Sequence, residues 1–242
     1  MPSPDPQIPR IAVFDVDWTL LEGTSAETQL LGFLIGKRML RWRYLLYSLA
    51  RLIFFLPLGV NRAVLKNRYY MRGIRAEDMR RLMPEFFSAR LGPRLSRPLL
   101  QRMEDLKRRG FRIYLISGTL DFILDILIRK LGADGGLCSR LEVRDGKLTG
   151  KIIGPYPYYQ GKITILKELL GGGKVDYPNS TAFGDTWADV PLLSLFGHPV
   201  AVHPDFFLKR HARARGWEIV RRKAVYGPFL MRFWLNTVYR RP

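Results

Sequence analysis

The sequence predicts an α/β fold, a parallel sheet with helices on both faces and a helical insertion early in the chain. Three features predict it: short apolar runs of strand length, helical stretches between them, and one long interval with no strand pattern. Ile11-Ala-Val-Phe14 opens the series, an unbroken apolar run that suits a strand buried on both faces and runs straight into acidic residues. From Leu21 to about Leu95 the chain is rich in Leu, Phe, Tyr and Arg and reads as several helices. An interval of that length between two strands of one sheet predicts a small helical domain of its own. The helical stretch Leu99–Arg109 ends at Gly110, and the strand Arg112–Ile116 follows. Ser117-Gly-Thr119 then leads into the apolar helical stretch Leu120–Leu131. Leu141–Val143 and Lys147–Lys151 flank Asp145-Gly146, a hairpin signal. A helix over Ile163–Leu170 and strands at Thr181–Gly184, Pro199–Val202 and Trp217–Val220 complete the alternation.

The resulting organisation is a discontinuous core, residues 1–20 and 96–220, an inserted helical cap at 21–95, and a tail at 221–242. The tail mixes Arg and Lys with Phe229, Phe233, Trp234 and Tyr239 and reads as amphipathic.

Composition bounds the partners. With 47% hydrophobic and 25% charged residues among 242, the chain is globular rather than disordered. Against 21 acidic residues stand 40 basic ones, and the net charge of +19 favours an anionic partner: a phosphate-bearing substrate, an anionic lipid or nucleic acid. A lone cysteine, Cys138, forms no internal disulfide and points to a reducing cytosol. Met1 to Arg10 is polar and proline-rich, which predicts no export signal. Tyr44–Val60 is the best candidate for a membrane span, but a span needs about 20 apolar residues. This segment carries Arg51 in its middle, at roughly 2.5–3.5 kcal/mol on insertion scales, and Pro57 near its end. The expectation is peripheral contact with a membrane face, not insertion.

In parallel sheets chemistry gathers beyond the carboxyl ends of the strands. Three of the strands run into polar residues there: Asp15, Ser117 and Asp185. A turn after the strand can present both Asp15 and Asp17 to one cleft. Two close carboxylates need a cation between them or a proton on one of them. A hard cation such as Mg²⁺ suits oxygen donors and bridges carboxylate to phosphate. Asp185 and Asp189 add oxygens at i, i+4 spacing, on one face if a helix starts there. Taken singly, Asp17 or Asp189 reads equally as a helix cap or a solvated acid. Ser117-Gly-Thr119 at a helix start is a phosphate seat or an ordinary cap. Lys162 could balance gathered negative charge, or could be one more solvated lysine of a basic chain.

Asp15-Val-Asp17-Trp-Thr19, Ser117-Gly-Thr119, Lys162 and Gly184-Asp185…Asp189, in this order, resemble the haloacid dehalogenase superfamily of phosphatases. The insertion after the first motif is similar to a C1-type cap. Leu148-Thr-Gly-Lys-Ile152, Tyr159-Gln-Gly-Lys162 and Val200-Ala-Val-His-Pro-Asp205 with Gly216-Trp217 resemble the subfamily (IB) of phosphoserine and phosphatidylglycerophosphate phosphatases. The resemblance implies a Rossmann-like core and a Mg²⁺-dependent phosphatase. Asp15 is the implied nucleophile, and Asp17 the acid that protonates the leaving alcohol and then the base that activates water. Thr19, Ser117 and Gly118 are implied to bind the phosphoryl group and Lys162 to neutralise charge. Asp15, Asp17 (through its backbone carbonyl), Asp185 and Asp189 are the implied metal set.

The sequence also departs from that pattern. Phosphoserine phosphatases hold the substrate ammonium with a glutamate, and the aligned position is Thr24, with Glu22 and Glu27 as imperfect neighbours. Met39–Val60 carries Arg41, Trp42, Arg43, Tyr44, Tyr47, Arg51, Phe54 and Phe55, a mixture of arginines and aromatics suited to an anionic membrane surface. The expected substrate is therefore a membrane-lipid phosphate, such as a phosphatidylglycerophosphate, met at the cytoplasmic face. One rival is a phosphatase of a small soluble metabolite. The other is a nucleic-acid- or lipid-binding protein with a vestigial site, which the complete acidic and lysine elements disfavour.

Overall fold

A computed structural model describes residues 8–55, 68–154, 157 and 159–221. Strand β1 (Ile11–Asp15) lies at the centre of a seven-stranded sheet. Its neighbours are β2 (Arg112–Leu120) on one side and β5 (Thr181–Gly184) on the other, both parallel to it. Outward from β2 lie β3 (Gly135–Arg144) and then β4 (Lys147–Ile153), an antiparallel edge hairpin. Outward from β5 lie β6 (His198–Val202) and β7 (Glu218–Val220), both parallel. The order β4-β3-β2-β1-β5-β6-β7 reverses direction at β1, so the crevice beyond its carboxyl end is a topological switch point.

The unbroken apolar run of β1 follows from burial on both faces. Ala12 and Phe14 join one hydrophobic cluster while Ile11 and Val13 join the other, as the two-residue period of a strand requires. Phe14 stacks on Phe183 of β5, with ring centres 4.2 Å apart and planes 3° from parallel. The first cluster is covered by α1 (Ala26–Gly36), α3 (Ala76–Phe86), α4 (Arg97–Arg108) and α5 (Asp121–Leu131). The second is covered by α6 (Gln160–Leu169), the short α7 (Val190–Leu193) and α8 (Phe206–Ala214). Helix α2 (Trp42–Phe55) lies within the insertion.

The two ends of the insertion meet at a narrow neck. Leu21 bridges Leu95, the Glu22 N–H donates to the Arg94 carbonyl at 2.7 Å, and the Ser96 N–H donates to the Leu20 carbonyl at 2.8 Å. Instead of standing apart, the insertion shares one apolar core with the sheet. Leu30, Met79, Met83 and Phe86 belong to the same cluster as Phe14 and Ile113. Its backbone is also tied to the β3–β4 hairpin, where the Gly73 N–H donates to the Leu148 carbonyl and the Leu148 N–H to the Ile74 carbonyl. Gly150 permits that approach: a Cβ there would lie 2.6 Å from the Tyr69 Cα.

The hairpin turn falls at Asp145-Gly146 as expected, both residues having positive φ. Two local expectations are corrected. Ser117-Gly-Thr119 does not open a helix, because β2 continues to Leu120 through an irregularity after Ile116 and α5 starts only at Asp121. Asp185 and Asp189 do not share a regular helical face, since a 3₁₀ turn over Trp187–Asp189 follows β5. Among the described residues no helix is long and apolar enough to cross a membrane. The tail from residue 222 onward, residues 56–60 of the expected surface segment and the side chain of Phe55 lie outside what is described.

Candidate active site

The carboxyl ends of β1, β2 and β5 place Asp15, Ser117 and Asp185 around the switch-point crevice. The chain leaves β1 through a wide turn, Val16–Leu20, closed by the Leu21 N–H on the Val16 carbonyl at 2.9 Å. Asp17 stays extended and Trp18 takes a left-handed conformation at φ 62°, which swings both aspartates inward.

Both oxygens of the buried Asp15 are held. Lys162 Nζ donates to Oδ1 at 2.6 Å and Thr19 Oγ1 donates to Oδ2 at 3.1 Å. Lys162, in the first turn of α6, also donates to Asp189 Oδ1 at 2.5 Å. Asp189 Oδ2 accepts from the backbone N–H groups of Asp185 and Thr186 and from the Thr186 hydroxyl, at 3.0–3.2 Å. Asp189 therefore closes a capping box and orients the lysine. Of the two bland readings, the cap is realised and the solvated acid is not, since Asp189 is buried. Gly184 is required behind it, because a Cβ there would sit 2.7 Å from the Asp189 Cβ.

Asp17 is held differently. Its Oδ1 accepts the Ala26 N–H at the start of α1, at 2.6 Å, and its Oδ2 accepts the Ser117 hydroxyl at 3.0 Å. Ser117 Oγ in turn accepts the Thr119 N–H at 3.1 Å, and the Gly118 carbonyl accepts from Ser139 Oγ at 2.9 Å. Thr119 is 1% exposed and its hydroxyl has no partner among the described residues, an orphan that costs about 1–3 kcal/mol unless a bound oxygen meets it.

Burial pushes Asp15 up to about 7 against the pull of Lys162, with Asp189 and Asp17 adding to the rise. Burial likewise raises Asp17, opposed by its bonds from Ala26 and Ser117. Burial alone would lower Lys162, but Asp15 and Asp189 outweigh it and hold the ammonium well above the usual lysine range. One buried ammonium thus serves Asp15 and Asp189 directly, while Asp17 and Asp185 add carboxylates at the same sheet edge, and the excess negative charge is what a hard cation would neutralise. No three His, Cys, Asp or Glu side chains among the described residues form a ready-made cage. Mg²⁺ does not need one, since it commonly binds through one or two carboxylates, waters and substrate phosphate. The donor set fits.

Asp205 escaped the chemical reading of the sequence. It caps α8 through the Leu208 N–H at 2.8 Å, receives the Trp187 N–H at 2.8 Å, and donates its own N–H to the Asp185 carbonyl at 2.9 Å. It thereby fixes the loop that carries Asp185. The available signal was an aspartate preceding a helical stretch. No local signal announced the cluster in the insertion, where Arg68 Nη2 donates to Glu27 Oε2 at 2.6 Å and the Tyr70 hydroxyl to Oε1 at 3.1 Å.

The family model for haloacid dehalogenase-like hydrolases matches residues 12–194. The chain belongs to this family. A phosphoserine phosphatase of Mycobacterium tuberculosis is 30% identical over 226 residues, covering 90% of this chain and 72% of that one. A histidinol-phosphatase of Neisseria meningitidis is 32% identical over 149 residues, covering 60% and 65%. A solved structure from Bordetella pertussis, of a protein with unknown function, superposes with a TM-score of 0.75 at 24% identity, over 88% of this chain and 99% of that one. A substrate-bound phosphoserine phosphatase superposes at 0.63 with 17% identity, over 95% and 98%. These last two likenesses show the fold alone. Family and relatives together make this chain a phosphatase-type hydrolase.

Proposed function

We propose that this hydrolase releases phosphate from a phosphate monoester through an aspartyl-phosphate intermediate on Asp15. The observation that carries the reading is the unlike treatment of two neighbouring aspartates. Asp15 lies on the Lys162 ammonium, as a carboxylate nucleophile should. Burial raises both carboxyls, but Asp17 is bonded only to neutral donors and not to the ammonium, which suits the group that must carry and release a proton.

In the first step an Asp15 oxygen attacks phosphorus, the P–O bond to the alcohol breaks, and Asp17 gives its proton to the departing oxygen. In the second step Asp17 takes a proton from water as the water oxygen attacks phosphorus, and the P–O bond to Asp15 breaks. Lys162 and the Ser117 hydroxyl stabilise charge on the transferring group, and Thr19 fixes the carboxylate for attack. Asp15, the Asp17 backbone carbonyl and Asp185 would hold Mg²⁺, which supplies further charge neutralisation at the phosphoryl oxygens. Asp189, already committed to Lys162 and its own turn, serves this set by positioning rather than by direct coordination.

Residues 21–95 would act as the cap over this crevice. An amino-acid substrate is disfavoured, because Thr24 is neutral and Glu27 is bound by Arg68 and Tyr70. The basic, aromatic insertion supports an amphiphilic phosphate of the lipid kind, met at the cytoplasmic face of a membrane. The names of the relatives support a small soluble phosphate ester at least as well. A phosphate-release screen over lipid and soluble monoesters, with Mg²⁺ and with excess chelator, decides between them. Turnover that requires Mg²⁺ is expected, and full activity in chelator would refute the metal assignment.

A further inference from the structure

Helix α2 turns an apolar stripe outward. A surface helix normally turns its apolar stripe to the core and its polar face to water. Here Trp42, Leu46, Leu49, Ile53 and Phe54, at the helical spacing i, i+4, i+7, i+11, i+12, are 73%, 56%, 53%, 65% and 71% exposed. The opposite face, half-buried toward the protein, carries Tyr44, Leu45, Ser48 and Arg51. Tyr47 meets Tyr69 edge-on at 5.4 Å, and the Arg51 guanidinium lies 4.6 Å from the Tyr69 ring centre. A contiguous apolar stripe of this kind marks an interaction surface.

Charge decides what covers it. From Thr28 to Ala76 the sequence holds ten Lys or Arg residues and no Asp or Glu. Arg38, Arg41 and Arg43 are exposed where α2 begins. A second copy of the chain would bring the same basic rim against itself. The tail from Arg221 to Pro242 also has basic residues and no acidic ones, so it is repelled in the same way. Nucleic acid would match the arginines but leave a stripe of Leu, Ile and Phe without an apolar partner. An anionic bilayer meets both demands, with phosphate headgroups for the arginines and acyl chains for the stripe.

We propose that α2 is a membrane-docking helix, lying in the plane of an anionic leaflet with Trp42, Leu46, Leu49, Ile53 and Phe54 among the acyl chains. The inference deepens the amphiphilic-substrate reading, on which it rests for its purpose but not for its chemistry. The test is co-sedimentation of the whole protein with vesicles of equimolar phosphatidylglycerol and phosphatidylcholine, against vesicles of phosphatidylcholine alone. Wild type should bind the anionic vesicles on the order of tenfold more tightly at low salt, and part of the binding should survive high salt. The exposed-face variant Leu46→Ser/Ile53→Ser/Phe54→Ser should lose the salt-resistant part, and Arg41→Glu/Arg43→Glu should lose the low-salt preference. Turnover of a soluble phosphate ester in the absence of vesicles should be unchanged in both, which reports that they fold. Wild type left in the supernatant, or serine variants that bind as wild type does, would overturn the proposal. A stable dimer broken by the serine variants, or displacement of wild type by single-stranded DNA, would overturn it in favour of those partners. The substrate reading fails separately, if wild type binds the vesicles yet hydrolyses soluble phosphates and no lipid phosphate.

Discussion

The carboxyl edge of the sheet and helix α2 both invert the usual rule of apolar inside and polar outside, but the first meets its buried charges with donors of the chain itself. At the sheet edge Asp15, Asp17, Asp189 and Lys162 are buried or nearly so, and each is met by named partners. Along α2 the large apolar side chains Trp42, Leu46, Leu49 and Ile53 are more than half exposed. Buried charge and exposed apolar surface are the informative departures in a structure, because each costs free energy that something must offset. At the site much of that offset comes from the chain's own donors, and at the helix the proposed bilayer would supply it. Helix α4 shows what an ordinary helix of this protein does, burying Leu99, Met103 and Leu106 while its charged residues meet solvent.

The contrast can be broken by substitution. Asp15→Asn should lose about 10³-fold or more in turnover, equivalent to roughly 4 kcal/mol, while the fold persists. Turnover within tenfold of wild type in a folded variant would remove the nucleophile. Lys162→Met takes away the ammonium that Asp15 and Asp189 share, and should cost about 10²–10³-fold in kcat, the scale of losing one charge-stabilising donor. Full activity would mean that the internal offset is not catalytic.

Stability measurements sharpen the same comparison. Met83→Ala, in the shared core of the insertion and sheet, should cost about 2–5 kcal/mol in denaturant unfolding. Leu46→Ala on the outer face of α2 should stay within about 0.5 kcal/mol. Equal costs at the two positions would mean that the α2 face is covered in solution.

The smallest effect concerns the edge strand. Arg102 grips Glu218 of β7 through both oxygens at 2.5 and 2.6 Å, and this bond holds the Glu218 carboxyl below its ordinary 4.5. A depressed folded-state value means the stabilisation is present above the unfolded value and lost as pH falls through the folded one. The pair is half exposed, so Glu218→Gln should cost only about 0.5 kcal/mol at neutral pH and nothing in strong acid. A difference that grows on acidification would reverse the assignment.

Much of this was legible in the sequence because it rests on short-range patterns. The apolar runs of β1 and β5, the Asp145-Gly146 turn and the residues at the strand ends each declare themselves within a few positions. Distance along the chain hid the rest. Nothing near Glu27 shows that Arg68 and Tyr70 will close on it, and the role of Asp205 appears only when the loop after β5 folds against α8. Ser117 was placed at a helix start because Ser-Gly-Thr favours caps, yet sheet pairing carries β2 on to Leu120. The arginines and aromatics of the insertion were visible, but which of them face outward depends on how α2 is rotated on its neighbours.

The central claim, covalent catalysis by Asp15, is open to direct observation. Wild-type protein and Asp15→Asn would be mixed with a phosphate monoester and Mg²⁺, quenched in acid during turnover, digested, and the phosphorylated peptide located by mass spectrometry. An acid-stable, hydroxylamine-sensitive phosphate is expected on Asp15 in the wild type and none in the variant. Phosphate on Ser117, or turnover by wild type with no covalent phosphate on any residue under conditions that trap acyl phosphates, would contradict it.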